Sequence, residues 1–414
     1  MSVDAALLTG AVAKAADDVP SAAADPAQTA MVFTRDREAE VVIRQCLATL
    51  LPAAEFINGT VDAAIALLAQ RVSPRLLIVD VAGSADPVER IRKLATVCEP
   101  GTGVIALGDT NDIRLYRELR LAGIVEYFFK PLVSTLVTRA AGSILKGGGE
   151  EPRVSSLGKL IVVIGVRGGS GATTIGASAA WHLAEVLQRR VALLDLDLFG
   201  GDAALQLDAT PTHALCEALE HPERVDDLFL DRATIRVTER LSLLASLESL
   251  SSPMVPSETS VLSLLGKLLR RHRYVFVDLP LELASTLLRV LHLPGICLLI
   301  SSQTLVGGRD LVRWRELVGP SSTERQVLHV LNKAGADGGL TQAEFLQAAG
   351  EEPAIEIPFD RAISIASSMG VKAVLKCATL EHGLAPLFSI IAGEPIQPKR
   401  SLADRIVARL FRRQ

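Results

Sequence analysis

The sequence predicts an α/β protein built from two doubly wound, mostly parallel sheets. Three observations carry this expectation. In both halves short, apolar, β-branched runs alternate with helical stretches, the pattern of parallel sheets covered on both faces. A break from Lys146-Gly-Gly-Gly-Glu-Glu-Pro152 to Gly158 interrupts both periodicities. The length, 414 residues, suits two or three domains at roughly 150 residues each. The resulting division is a leader (1–29), a first α/β domain (30–145), a linker (146–158), a second α/β domain (159–395) and a basic tail (396–414).

Composition narrows the function classes. Hydrophobic residues at 49% and charged residues at 22% exclude wholesale disorder and collagen-like repeats. A formal charge of −4 argues against a chain that coats nucleic acid through its overall field, so no nucleic-acid partner is expected. Cys46, Cys98, Cys216, Cys297 and Cys377 lie far apart, without the paired spacing of a zinc or dithiol site. The first thirty residues lack the positive start of a secretory signal, and no apolar run reaches the roughly 18 residues of a spanning helix, so a cytoplasmic chain is expected. The leader is Ala-rich, with too few large apolar side chains to offset the entropy of ordering.

In the first domain, strands are expected at Met31–Thr34, Leu76–Val79 ending in Asp80, Gly103–Leu107 and Tyr127–Phe129, the last followed by Lys130-Pro131. Functional residues of open parallel sheets gather at the carboxyl ends of strands, which brings Asp80 and Lys130 together. This order resembles the response-regulator receiver domain. The resemblance implies phosphoryl transfer to Asp80, but the acidic pair that holds the metal in that family reads Thr34-Arg35-Asp36, and its hydroxyl residue after the fourth strand is replaced by Gly108. With too few carboxylates for the cation, an Asp80–Lys130 ion pair in a partner-binding domain is expected instead.

In the second domain, Lys159–Gly165 reads as a buried strand leading into Val166-Arg-Gly-Gly-Ser-Gly-Ala-Thr-Thr174, followed by a helical pattern from Ile175 to Leu187. Strand, glycine-rich turn and helix form a phosphate cradle, because glycines let backbone N–H groups approach an anion and the helix N-terminus adds a favourable dipole. The loop Gly168, Gly169, Ser170, Gly171, Ala172, Thr173 and Thr174 is therefore the expected nucleotide contact.

The loop is similar to the deviant Walker A motif of MinD/ParA ATPases, Lys-Gly-Gly-x-Gly-Lys-Thr-Thr. Arg167 stands at the signature lysine that reaches across a dimer, and Ala172 at the lysine that contacts the β and γ phosphates. Val191-Ala-Leu-Leu-Asp-Leu-Asp197 resembles the second motif of that family, and Leu198-Phe-Gly-Gly-Asp202 its TadZ/CpaE version. Tyr274–Pro280 resembles Walker B, Val327–Asn332 an adenine-contacting strand end, and Ile357-Pro-Phe-Asp360 with Ala366 and Gly370 the late signature.

The resemblance implies ATP and Mg²⁺ as ligands. Thr173 would hold the metal, Asp278 a metal-bound water, and Thr174 the α-phosphate. Asp197 would orient the attacking water, Asp202 would act as a switch residue on the metal side, and Asn332 would meet the adenine. Without the lysine at 172, a charge-assisted hydrogen bond of roughly 1.5–3 kcal/mol is lost, and catalysis suffers more than binding. Arg167 is a permanent charge able to compensate in part, from its own site or across a dimer.

The tail Lys399–Gln414 holds six basic residues against Asp404. On a helix its Leu402, Ile406, Leu410 and Phe411 side would oppose its arginines, the pattern of a membrane-surface segment or of a final helix packed on the domain. Receiver-like domain, linker and ATPase-like domain together resemble TadZ/CpaE-type pilus assembly proteins. The expectation is an ATP-binding localisation or scaffold protein for Tad (Flp-type) pilus assembly, dimeric, binding ATP or ADP and the pilus secretion ATPase or other Tad proteins, cytoplasmic or peripheral at the inner membrane or cell pole. The alternatives are an active ParA/MinD-like positioning ATPase and a receiver-driven signalling regulator.

Overall fold

The computed structural model describes residues 30–146 apart from 52, 157–368 apart from 250, 252 and 253, and 377–392. The leader, most of the linker, Gly370 and the basic tail lie outside the described residues, as does the side chain of Ala366. The described residues fall into two compact units, one from most of 30–146 and one centred on 157–392.

The first unit is built on β1 (Ala30–Thr34), β2 (Ala54–Asn58), β3 (Leu76–Asp80), β4 (Gly103–Gly108) and β5 (Glu126–Phe129). Their order is β2-β1-β3-β4-β5 and every neighbouring pair is parallel. β1, β3 and β4 are buried along their whole length, as strands covered on both faces must be. The order reverses between β1 and β3, so their carboxyl ends, carrying Thr34 and Asp80, open on one crevice.

The second unit holds β6 (Lys159–Gly165), β7 (Val191–Asp195), β8 (Ile235–Arg236), β9 (Leu241–Leu244), β10 (Tyr274–Asp278), β11 (Gly295–Ser302), β12 (Arg325–Ala334) and β13 (Ile355–Pro358). The order is β13-β12-β11-β6-β10-β7-β9-β8, parallel throughout except for β8 against β9. Alternation along β6 divides its side chains between two cores: Leu160, Val162 and Ile164 join one, Ile161 and Val163 the other. Helix Glu258–Arg271 covers the first face through Val261, Leu264 and Leu268, and helix Ala172–Glu185 covers the second through Ile175, Ala179 and Leu183. Each fully buried aliphatic chain contributes roughly 1.5–3 kcal/mol, which fixes β6 and the helix that follows it as a rigid frame. The chain leaves β6 between β10 and β11, where strand order reverses, and the glycine-rich turn sits at that switch point.

Two boundaries differ from the sequence reading in ways that matter for the site. β7 stops at Asp195, leaving Asp197 in the turn beyond it. β12 runs on to Ala334, and its register against β13 shifts between Leu331 and Ala334. No helix among the described residues is long and apolar enough to cross a membrane.

Candidate functional site

The turn after β6 is held at both ends. Val166 N–H donates to Ile300 O of β11 at 2.9 Å, Val166 O accepts from Trp314 Nε1 at 3.2 Å, and Ser170 N–H closes back onto Arg167 O at 3.2 Å. Gly171 has φ +92, a left-handed conformation that costs an L residue roughly 1–2 kcal/mol, and a Cβ there would collide with Asn332 Nδ2. From this glycine the helix Ala172–Glu185 starts three residues earlier than the periodicity indicates, and no side chain caps it. The first N–H groups of a helix have no partner within it, so those of Ala172, Thr173 and Thr174 are free to meet an anion.

That helix end faces a cavity of about 550 Å³ lined by the whole loop, Gly168 to Thr174, with Asp197, Asp202, Asp278 and Asn332 around it. The sequence-predicted residues therefore converge on one place, although they come from four separate stretches of chain. Phe359 and Ile363 add apolar wall on the β13 side.

Under the helix end lies a group of carboxylates. Asp278 is buried, and its carboxyl is hydrogen-bonded by the Thr173 side chain. Its pKa is raised to about 6, chiefly by burial and also by Asp197 and Asp202, against the lowering effect of Thr173. Asp195, 1% exposed, is pushed up to about 7 by burial and by Asp278, although its oxygens accept the N–H groups of Asp197 (3.0 Å) and Ala203 (3.2 Å). The sequence reading gives the role to Asp197 alone; Asp195, two residues earlier in the same motif and at the end of β7, is a second carboxylate of the site. Asp197 itself accepts Phe199 N–H at 3.3 Å and Gly200 N–H at 2.9 Å, so it also shapes the turn that carries Asp202.

Buried carboxylates with raised pKa values, crowded beside the Thr173 hydroxyl, form an all-oxygen set suited to Mg²⁺. A consequence follows for stability. The folded-state pKa values of Asp195 and Asp278 lie above their ordinary 3.8, so the metal-free pair favours folding at low pH and loses this contribution as pH rises through about 6 to 7. Mg²⁺ should therefore raise the melting temperature more at pH 8 than at pH 5, as measured by calorimetry; equal shifts at both would contradict the assignment.

The two substitutions in the loop have distinct consequences. Ala172 places only a methyl group, half-buried against the second core, where a charge is expected from the resemblance. Arg167 does not fold over the loop: its Nη1 donates to Asp310 Oδ2 at 3.1 Å, and the side chain is 59% exposed. Asp310 also accepts from Arg309, and these two guanidiniums outweigh its burial and hold its carboxyl below the ordinary carboxylate range.

Asn332 is engaged with the loop from the far side. Its Nδ2 donates to Ser170 O at 2.8 Å and its Oδ1 accepts Lys333 N–H at 2.9 Å. Lys333, which sequence reasoning missed, reaches the loop as well, Nζ donating to Gly169 O at 2.8 Å.

In the first unit Asp80, 3% exposed, forms the expected ion pair with Lys130 at 2.8 Å. Thr34 Oγ1 donates to the same carboxylate at 3.0 Å and Ala82 N–H to its other oxygen at 3.0 Å. Burial lowers the Lys130 pKa, but its bond to Asp80, with Asp36 and Asp109 nearby, outweighs this and leaves it raised. Asp36 caps the helix Arg37–Ala48 by accepting Glu38 and Ala39 N–H. The space a side chain at 108 would use is filled by Tyr127, whose hydroxyl donates to Thr110 O at 2.7 Å. Asp80 is thus occupied as a structural carboxylate.

Comparison with known proteins gives fold-level likenesses. No protein-family model matches the chain, and no curated protein matches it. Among solved structures, a ParA family ATPase from Chlorobium tepidum TLS is 20% identical, with 56% of this chain and 98% of that chain covered and a TM-score of 0.50. A pilus assembly protein CpaE from Caulobacter crescentus CB15 is 33% identical over 28% of this chain and 98% of that chain, with a TM-score of 0.27. The septum site-determining protein MinD complexed with Mg-ADP from Pyrococcus horikoshii OT3 is 18% identical, covering 57% and 99%, with a TM-score of 0.40. The second unit, with its strand, glycine-rich turn and uncapped helix at the switch point of a mostly parallel sheet, thus has the fold of the ParA family ATPase it resembles.

Proposed function

We propose that the chain is an ATP-binding localisation and scaffold protein for Tad (Flp-type) pilus assembly, a nucleotide-dependent dimer with slow or absent hydrolysis. The observation that carries this reading is the loop: an uncapped helix end turned into a cavity over Thr173 and Asp278, with alanine at 172. The amides from Gly168 to Thr174 suit the phosphates, the Thr173 hydroxyl and Asp278 suit Mg²⁺, and Thr174 suits the α-phosphate. When bound, Mg²⁺ would neutralise phosphate charge, and the backbone dipoles of the loop would add to this. Asn332 and the apolar wall of Phe359 and Ile363 bound the side left for the base. On this reading Asp197 would orient a water, and Asp202, in the turn that Asp197 shapes, would act as the switch residue.

The pilus role rests on the order of receiver-like and ATPase-like domains and on their motifs, which resemble TadZ/CpaE proteins; one solved neighbour carries the name CpaE. On this reading the partners are a second copy, the pilus secretion ATPase and other Tad proteins, the place is the cytoplasmic face of the inner membrane or the cell pole, and Lys399–Gln414 is the membrane-contacting segment. Hydrolysis is expected to be slow because the loop itself, with alanine at 172, brings no charge to the transition state and Arg167 is held by Asp310. Single-turnover hydrolysis should be near background in both the intact protein and Arg167→Ala, while ATP with Mg²⁺ doubles the mass measured by light scattering. Turnover that Arg167→Ala abolishes would instead favour an active positioning ATPase.

A further inference from the structure

The loop that should hold phosphates has no ammonium of its own, yet one approaches it from another strand. Lys333 lies near the end of β12, which β11 separates from β6. Its Nζ donates to Gly169 O at 2.8 Å, and it lines the same cavity as Thr173 and Asp278. An ammonium has more protons than this single bond uses, and among the described residues no carboxylate pairs with it.

The backbone is arranged to aim this side chain. Lys333 has φ +58, a left-handed conformation uncommon for residues other than glycine, asparagine and aspartate. The register of β12 against β13 shifts between Leu331 and Ala334, a local irregularity of the kind that redirects a side chain next to a site. Asn332 fixes the turn from within, accepting Lys333 N–H while donating to Ser170 O. Among the described residues the other cation lining the cavity, Arg167, is drawn off by Asp310.

We propose that Lys333 supplies to the β and γ phosphates of a bound nucleotide the ammonium charge that Ala172 cannot. The charge has been moved from the helix to a neighbouring strand end, where the loss of one lysine is offset by another that arrives from across the loop. This rests on the nucleotide-binding reading of the same site.

The test measures ATP·Mg²⁺ affinity of the full chain by calorimetry, with melting temperature as a control on folding. Lys333→Asn keeps a residue tolerated in left-handed backbone and removes the charge; a loss of about ten- to hundred-fold in affinity is expected, with the melting temperature of the nucleotide-free protein little changed. Lys333→Arg should stay within a few fold of the native chain. Adding Ala172→Lys to Lys333→Asn should restore affinity, because the charge returns by the other route. If the native chain binds ATP and Lys333→Asn binds it equally well, the proposal fails while the nucleotide reading stands. If affinity falls but Ala172→Lys does not restore it, Lys333 is a brace for the loop and the proposal is wrong. If the native chain binds no nucleotide, both fall together.

Discussion

Replacing Gly171 with alanine is expected to abolish nucleotide retention, a loss of at least about a hundred-fold in ATP affinity, equivalent to about 2.7 kcal/mol. Two independent costs fall on this position. The left-handed backbone, φ +92, is strained for any residue with a Cβ. The added methyl would also meet Asn332 Nδ2, which holds Ser170 O at 2.8 Å, so relief by moving Asn332 releases the loop. The fold should survive, because Ile175, Ala179 and Leu183 keep the following helix in the core. Gly168→Ala is the matched control: no protein atom lies within 4 Å of its added Cβ, so the loop keeps its shape and the loss should be smaller. Fluorescent-nucleotide titration with far-UV circular dichroism on both variants checks this; equal affinities for Gly171→Ala and the native chain would remove the loop from the binding site.

Lys130→Met should destabilise the first unit by about 3–5 kcal/mol, because it leaves the buried Asp80 carboxylate without a counter-charge. Thr34 and Ala82 N–H remain as donors but carry no net charge. Adding Asp80→Leu to Lys130→Met should recover most of the loss, since the pair is then replaced by apolar groups and no lone ion stays buried. Hydrogen exchange of peptides covering β1 and β3 reads this unit alone. A double variant no more protected than Lys130→Met would show that the cost lies elsewhere.

Much of the architecture was legible in the sequence because buried parallel strands are uniformly apolar and end at marked residues: Leu76–Asp80, Lys159–Gly165 and Tyr274–Asp278 are all of this type. β2 was not, being an edge strand with only partly buried residues, and β8 and β9 are too short to show a period. β11 is apolar, but it carries none of the motifs that marked its neighbours. At the site, local motifs placed the loop and Asp278, whose positions follow from consecutive residues. Lys333 was invisible because its direction depends on a register shift between two strands, a property of no single stretch of chain. The Arg167–Asp310 pair was hidden for the same reason, joining residues 143 apart.

The first unit and the second use their charges in opposite ways. Asp80 is satisfied on both oxygens by groups of its own unit, whereas Asp195 and Asp278 near Thr173 are raised by burial and by neighbouring carboxylates, with no counter-charge among the causes. A closed site and an open one are thus distinguished by the same electrostatic reasoning.

The central claim is that backbone amides from Gly168 to Thr174 hold nucleotide phosphates although residue 172 is alanine. Calorimetric titration of the full chain with ATP in the presence of Mg²⁺ tests it most directly. Saturable binding at one site per chain, weaker when Mg²⁺ is withheld, is the expected result. A chain that stays empty at millimolar ATP with Mg²⁺ would contradict it.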